Sequence, residues 1–130
     1  MKLPKGSRAV TAIGFSEDSS MISCADLSDD HNVYIFQISG PEPQMIKSHK
    51  GGRDKILHLC WNKSTKNPEF CTVGPNHIFF WNKIAGEKPK KGSNSLKDEN
   101  NQPYKKLNYA CTTYSSQDHA YTGGSKGEII

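Results

Sequence analysis

The chain has 130 residues, of which 34% are hydrophobic, and a mean hydropathy of −0.71 is polar for one compact core. No apolar run approaches the ~20 residues that span a bilayer, and Met1 to Gly6 is charged and broken by Pro4 with no apolar stretch behind it, so neither a membrane span nor a secretory leader is expected. A net charge of +4 and a pI of about 8.9 fit an acidic partner, or simply a solvated basic surface.

An intracellular, soluble chain follows as the expectation, and in that setting the Asn62-Lys63-Ser64 sequon carries no glycosylation meaning. The cysteines, Cys24, Cys60, Cys71 and Cys111, form no CxxC pair. Neither a disulfide framework nor structural zinc is therefore the first reading. Each lies in a strand-like apolar run, where a thiol acts as a small buried hydrophobe. No metal and no cofactor are expected.

The elements read as strands throughout. Ala9 to Phe15 alternates apolar and small or polar residues and ends in the turn Ser16-Glu17-Asp18-Ser19-Ser20. Met21 to Ala25 is a second short run, Asp26 to His31 a polar turn, and Asn32 to Ile38 a third strand. After the breaker cluster Ser39 to Pro43, Gln44 to Lys47 offers a short fourth strand. The order then recurs: Lys55 to Trp61, a turn, Glu69 to Val73, a turn at Gly74-Pro75-Asn76, and His77 to Trp81. A third copy starts at Leu107 with a strand ending at Tyr114. A second strand follows over His119 to Gly124, and Glu128-Ile129-Ile130 resembles the opening of a third.

Phe15, Trp61 and Tyr114 end the first strands, and Phe36 and Trp81 end the third strands. Repetition at roughly 40–45 residues with four short strands per unit is the mark of a β-propeller. The expected fold class is all-β: two four-stranded blades plus the start of a third, divided at 1–48, 49–90 and 107–130. One four-stranded blade cannot cover its own faces and needs neighbours on both sides. Residues 86–106 interrupt the repeat with six lysines and three acids. The segment is expected to start near the fourth strand of blade two and to run on as a long basic inter-blade loop, with 91–106 as a separate segment.

Arg8 to Ser16 followed by Ser19 to Ala25 resembles the opening of a WD40 blade. More specific is the string Phe70-Cys71-Thr72-Val73-Gly74-Pro75-Asn76-His77-Ile78-Phe79-Phe80-Trp81, with Gly86 and Lys90-Lys91-Gly92 beyond it. It resembles the echinoderm microtubule-associated-protein-like family. That resemblance implies a non-catalytic propeller scaffold of the cytoskeleton that binds tubulin and microtubules, including those of the ciliary axoneme. The Asp of the usual Trp-Asp pair is replaced, giving Phe36-Gln37 and Trp81-Asn82. In typical blades a His, a Ser or Thr, a Trp and a turn Asp share hydrogen bonds. His49, Thr72 and Trp81 supply three of these in blade two, where the turn offers Pro75-Asn76, and no such network is recognisable in blade one.

His49 and His77 are read as structural by position, His77 because it opens a strand after a turn. His58 is expected to face solvent or a neighbouring blade. No Ser-His-Asp order, paired carboxylates or activated cysteine stands out, so no enzyme is expected. Gly123 to Gly127 lacks the phosphate-loop frame and reads as a turn. Arg53, Lys88, Lys90, Lys91, Lys105 and Lys106 are the candidate partner contacts, set against the plainer reading of a solvated loop. Nucleic acid is disfavoured because Tyr104 is the lone aromatic beside these lysines. Two alternatives stay open: a WD40 adaptor in another complex, or a propeller whose active or regulatory site lies in other blades.

Overall fold

The computed structural model describes residues 1–64, 69–82, 89–92, 100–102 and 108–130. Every regular element among them is a strand. β1 (Val10–Phe15), β2 (Met21–Asp26), β3 (Val33–Gln37) and β4 (Gln44–His49) form blade one, antiparallel in sequence order. β5 (His58–Trp61), β6 (Glu69–Gly74), β7 (His77–Asn82) and β8 (Lys90–Lys91) repeat that order as blade two. β9 (Tyr109–Tyr114) and β10 (Ala120–Gly124) pair as the start of blade three. A bridge between Gly123 and Ile129 begins its third line of pairing. The fold is that of a WD40-type β-propeller fragment, as the repeat predicts.

Local chemistry sets the hairpins. Pro75 fixes φ and Asn76 takes a left-handed φ of 60°, which closes the two-residue turn between Gly74 and His77. At the β1–β2 turn the Asp18 carboxylate accepts the Ser20 N–H at 3.0 Å and the Ser16 hydroxyl at 2.6 Å. Ser19 there holds φ 55°.

Alternation sends each strand's side chains to opposite faces. One face of blade one presents Ala12, Met21, Ala25, Val33 and Ile35. It packs against Ile56, Leu59, Trp61, Phe70 and Trp81 of blade two. The opposite face of blade two, with Cys71, Val73 and Ile78, meets Tyr109 and Tyr114 of blade three. Phe70 is fully buried between Trp61 and Trp81, with ring centroids 4.8 and 5.8 Å away. Enclosing such a ring contributes about 1.5–3 kcal/mol. Blade two is thus covered on both faces, which is why its inner strand β6 is buried almost from end to end.

The first strands of blades two and three each end in an aromatic that reaches the blade before it. Trp61 Nε1 donates to Ser23 Oγ on β2 at 2.7 Å and lies 3.2 Å from the Gly14 carbonyl. Tyr114 donates its hydroxyl proton to Glu69 Oε1 on β6 at 3.3 Å. Phe15 holds the same place in blade one and is 58% exposed. Its face, with Ile22, Cys24, Tyr34 and Phe36, is partly covered by Leu3 and Ile38. Ser7 is tied to the Tyr34 hydroxyl at 2.8 Å on that same side.

Two expectations change. Lys91, placed in the loop, belongs with Lys90 to β8, whose register partners are Phe79 and Phe80. Its composition carries no strand signal, because an outer strand needs only backbone pairing. β4 runs on to Ser48 and His49, opposite Tyr34 and Val33.

Candidate partner-binding edge

The end of β4 and the connection after it bring His49, Gly51 and Gly52 beside Phe79 and Trp81 of β7. Trp81 Nε1 donates to Thr72 Oγ1 at 2.9 Å, both side chains buried. His49 joins them as a ring 5.8 Å from Trp81, tilted by 47°. Burial, assisted by the positive charge of Lys47, holds the His49 pKa below its ordinary value. His77 is buried and stacks on Phe79 with centroids 4.9 Å apart, and its Nδ1 lies 3.1 Å from the Pro75 carbonyl. Its pKa is pushed down by burial above all. The Pro75 carbonyl and Asp54 oppose that shift, while His31 and Lys91 reinforce it. Asn76, at the position where an Asp would complete the pattern, is exposed.

Blade one lacks this arrangement and carries another that the sequence reading missed. The Asp26 carboxylate is fully buried. Its Oδ1 accepts the Ser28 N–H at 3.1 Å, the Ser28 hydroxyl at 2.5 Å and the Asn32 N–H at 2.9 Å. Its Oδ2 accepts the Tyr34 hydroxyl at 3.1 Å. Burial alone would raise the Asp26 pKa, but the donors from Ser28, Ser7 and Tyr34 outweigh it and the carboxyl stays below its ordinary value. In the sequence Asp26 opens the run Asp26-Leu27-Ser28-Asp29-Asp30-His31, which reads as a solvated turn. The available signal was the Tyr34 hydroxyl in an otherwise apolar strand.

The cationic candidates fall into two groups. Lys90 and Lys91 are exposed on β8, and Arg53 is exposed in the connection leading to β5. Lys88, Lys105 and Lys106 lie outside the described residues. Close by, Lys50 pairs with Asp30 at 2.9 Å. His58 reaches blade three, its Nδ1 accepting the Thr112 N–H at 3.3 Å. Gly124 to Glu128 is a turn, closed by the Gly124 N–H on the Glu128 carbonyl at 2.9 Å.

Packing accounts for Cys24 and Cys71, which are buried, whereas Cys60 is half-buried and Cys111, against expectation, is exposed. Burial, followed by the negative charge of Asp26, pushes the Cys24 thiol up to about 11. Burial likewise raises Cys71 to about 12, against a hydrogen bond from Thr112 that lowers it. Thiols held protonated at neutral pH are poor nucleophiles. Asn62, the sequon residue, is buried, with its Oδ1 accepting the Ser64 N–H at 2.9 Å. Among the described residues no group of three or more His, Cys, Asp or Glu is placed to hold a metal ion. No helix among them is long and apolar enough to cross a membrane.

No protein-family model matches the chain. It is similar to the ciliary WD repeat-containing protein ctxp80 of Euplotoides octocarinatus, with 31% identity over 129 residues. The alignment takes in 98% of this chain but only 17% of that relative's length. Among the described residues, blade order and the shared inter-blade cores form two four-stranded blades and two strands of a third, a WD40-type propeller fold that this similarity supports.

Proposed function

We propose that the chain is part of a non-catalytic interaction scaffold of the echinoderm microtubule-associated-protein-like family, working in the cytoplasm, on the cytoskeleton and in the ciliary axoneme. In this reading it meets the acidic surface of tubulin through a basic blade edge. Arg53, Lys90 and Lys91 carry the contact, with Lys88, Lys105 and Lys106 extending it. His49, Thr72, His77 and Trp81 hold the strands that present it. The remaining blades of a parent propeller are the other partners.

The observation that carries the reading is the exposed pair Lys90–Lys91 on the outer strand of blade two, with Arg53 also exposed in the connection leading to β5. Cations fixed on a paired strand lose less freedom on binding than cations on a free loop. The ciliary name of the similar protein supports the cellular setting.

Co-sedimentation with polymerised tubulin across a salt series is the test. Contacts between exposed charges weaken as the Debye length shrinks from about 10 Å at 0.1 M salt to about 3 Å at 1 M. The expected result is pelleting at low salt that fades as salt rises and drops in a Lys88→Ala/Lys90→Ala/Lys91→Ala variant. A chain that stays in the supernatant at low salt contradicts the microtubule reading.

A further inference from the structure

Blade one has a face on which no described blade lies. The register pairs Ile13–Cys24 and Phe15–Ile22 stand on it. Leu59–Thr72 and Trp61–Phe70 hold the same places on the face of blade two that meets blade one. Towards its outer strands the blade-one face is already closed. Ile22, Cys24, Tyr34 and Phe36 are buried there, with Leu3 and Ile38 packed against them. Along β1 it is open, and the exposed Ile13 and Phe15 stand there.

Blade three has an open face of the opposite kind. Tyr109, Thr112 and Tyr114 are buried, and Thr112 Oγ1 donates to Cys71 Sγ of blade two at 3.7 Å. Alternation therefore turns Cys111 and Thr113 away from blade two. With their register partners they make the pairs Cys111–Gly123 and Thr113–Tyr121, and Tyr121 is 46% exposed. In blade one the matching pairs are Ala12–Ala25 and Gly14–Ser23. Those pairs are the seat of blade two: Trp61 Nε1 donates to Ser23 Oγ and lies beside the Gly14 carbonyl.

The two open faces are thus the two halves of one type of junction. Phe15 is the third aromatic at the end of a first strand, and Thr113–Tyr121 is the third seat for one. Blade two stands between them, so they cannot meet within one molecule.

We propose that Ile13 and Phe15 of one copy dock on the Thr113–Tyr121 face of a second copy, so that copies stack head to tail as successive blades do. Neither open patch carries a charged side chain on its strands, so joining them strips no charge of water. Side-chain size also fits. Tyr121 stands where Ser23 does, and Phe15 is smaller than the Trp61 it replaces, so ring meets ring. A pairing of two blade-one patches would leave Tyr121 bare. The inference concerns the faces of the blade stack and not the basic edge, so it is independent of the tubulin reading.

The test is complementation between two variants of the 130-residue chain, read by sedimentation equilibrium. The wild-type mass is expected to rise with concentration above the 14.5 kDa of one chain. Phe15→Lys and Tyr121→Lys should each stay at the mass of one chain. Their equimolar mixture should reach twice that mass, because each variant keeps the half that the other has lost. Circular dichroism melts beside wild type check that both fold. If either misfolds, hydrogen exchange on the wild-type chain decides: amides of β1 and of β10 should both slow as concentration rises.

A mixture that stays at the mass of one chain overturns the proposal. Continued self-association of Tyr121→Lys, or slowed exchange on β1 alone, overturns it in favour of blade-one patches pairing with each other. A wild-type chain at the mass of one copy at every concentration overturns it as well, and leaves the blade-one face to a different partner.

Discussion

Asp26 carries a charge into a site with no solvent exposure, and four donor contacts from Ser28, Asn32 and Tyr34 hold it there. Asp26→Ala leaves those donors facing a void. A buried donor stripped of its acceptor costs about 1–3 kcal/mol, so the expected loss is at least ~2 kcal/mol in urea unfolding. Thr72 supports a cleaner pair of variants. Thr72→Val keeps the shape but leaves the Trp81 indole N–H unpaired, and about 1–3 kcal/mol should be lost, whereas Thr72→Ser should stay near wild type. His77 makes stability pH-dependent. Its folded pKa is lowered, so its contribution is fully present above the unfolded imidazole value of about 6.5 and is lost as pH falls below it. Urea unfolding at pH 7.5 and pH 5.5 should show that fall, and His77→Gln should flatten it. His49 shifts in the same direction, so some slope should remain. Thr72, His77 and Trp81 were legible because they sit in one spaced string. Asp26 was not, because burial of a polar turn depends on what later folds over it.

At the scale of elements, alternation of apolar and polar residues located the strands of both complete blades to within a few positions. It assigned no residues to the fourth strand of blade two, because a strand of two exposed lysines is defined only by backbone pairing with Phe79 and Phe80. It shortened β4 because Ser48 and His49 look like the start of a loop. The connection after β4 has its own constraint at Gly51. A Cβ there would collide with the His31 carbonyl, and its next neighbour is Ile56 Cδ1 at 2.8 Å. Both are parts of the packed junction, and the carbonyl is backbone that cannot swing aside. Gly51→Ala should therefore cost more than the ~1 kcal/mol that separates typical substitutions from wild type. Circular dichroism melts of Gly51→Ala beside Gly6→Ala, a glycine with nothing within 4 Å of its Cβ position, would separate collision from lost backbone freedom.

Across the whole molecule the repeating link is an aromatic at the end of a first strand, Trp61 or Tyr114, reaching the blade before it. The sequence displayed that position as Phe15, Trp61 and Tyr114, but not the direction in which each ring points, since a period of two assigns a face only once the neighbouring sheet is known. Phe15 and Ile13 are each 58% exposed on the free face of blade one. Exposed apolar rings on a sheet face drive association, so the 130-residue chain should self-associate in light scattering, and Ile13→Lys/Phe15→Lys should reduce this. The core shared by blades one and two exists only if the two lie face to face. The bond from Trp61 to Ser23 crosses that junction at 2.7 Å and tests it most directly, through a double-mutant cycle of Trp61→Phe and Ser23→Ala read by urea unfolding. Stacked blades predict a coupling energy of about 0.5–1.5 kcal/mol, and strictly additive effects would contradict the stacking.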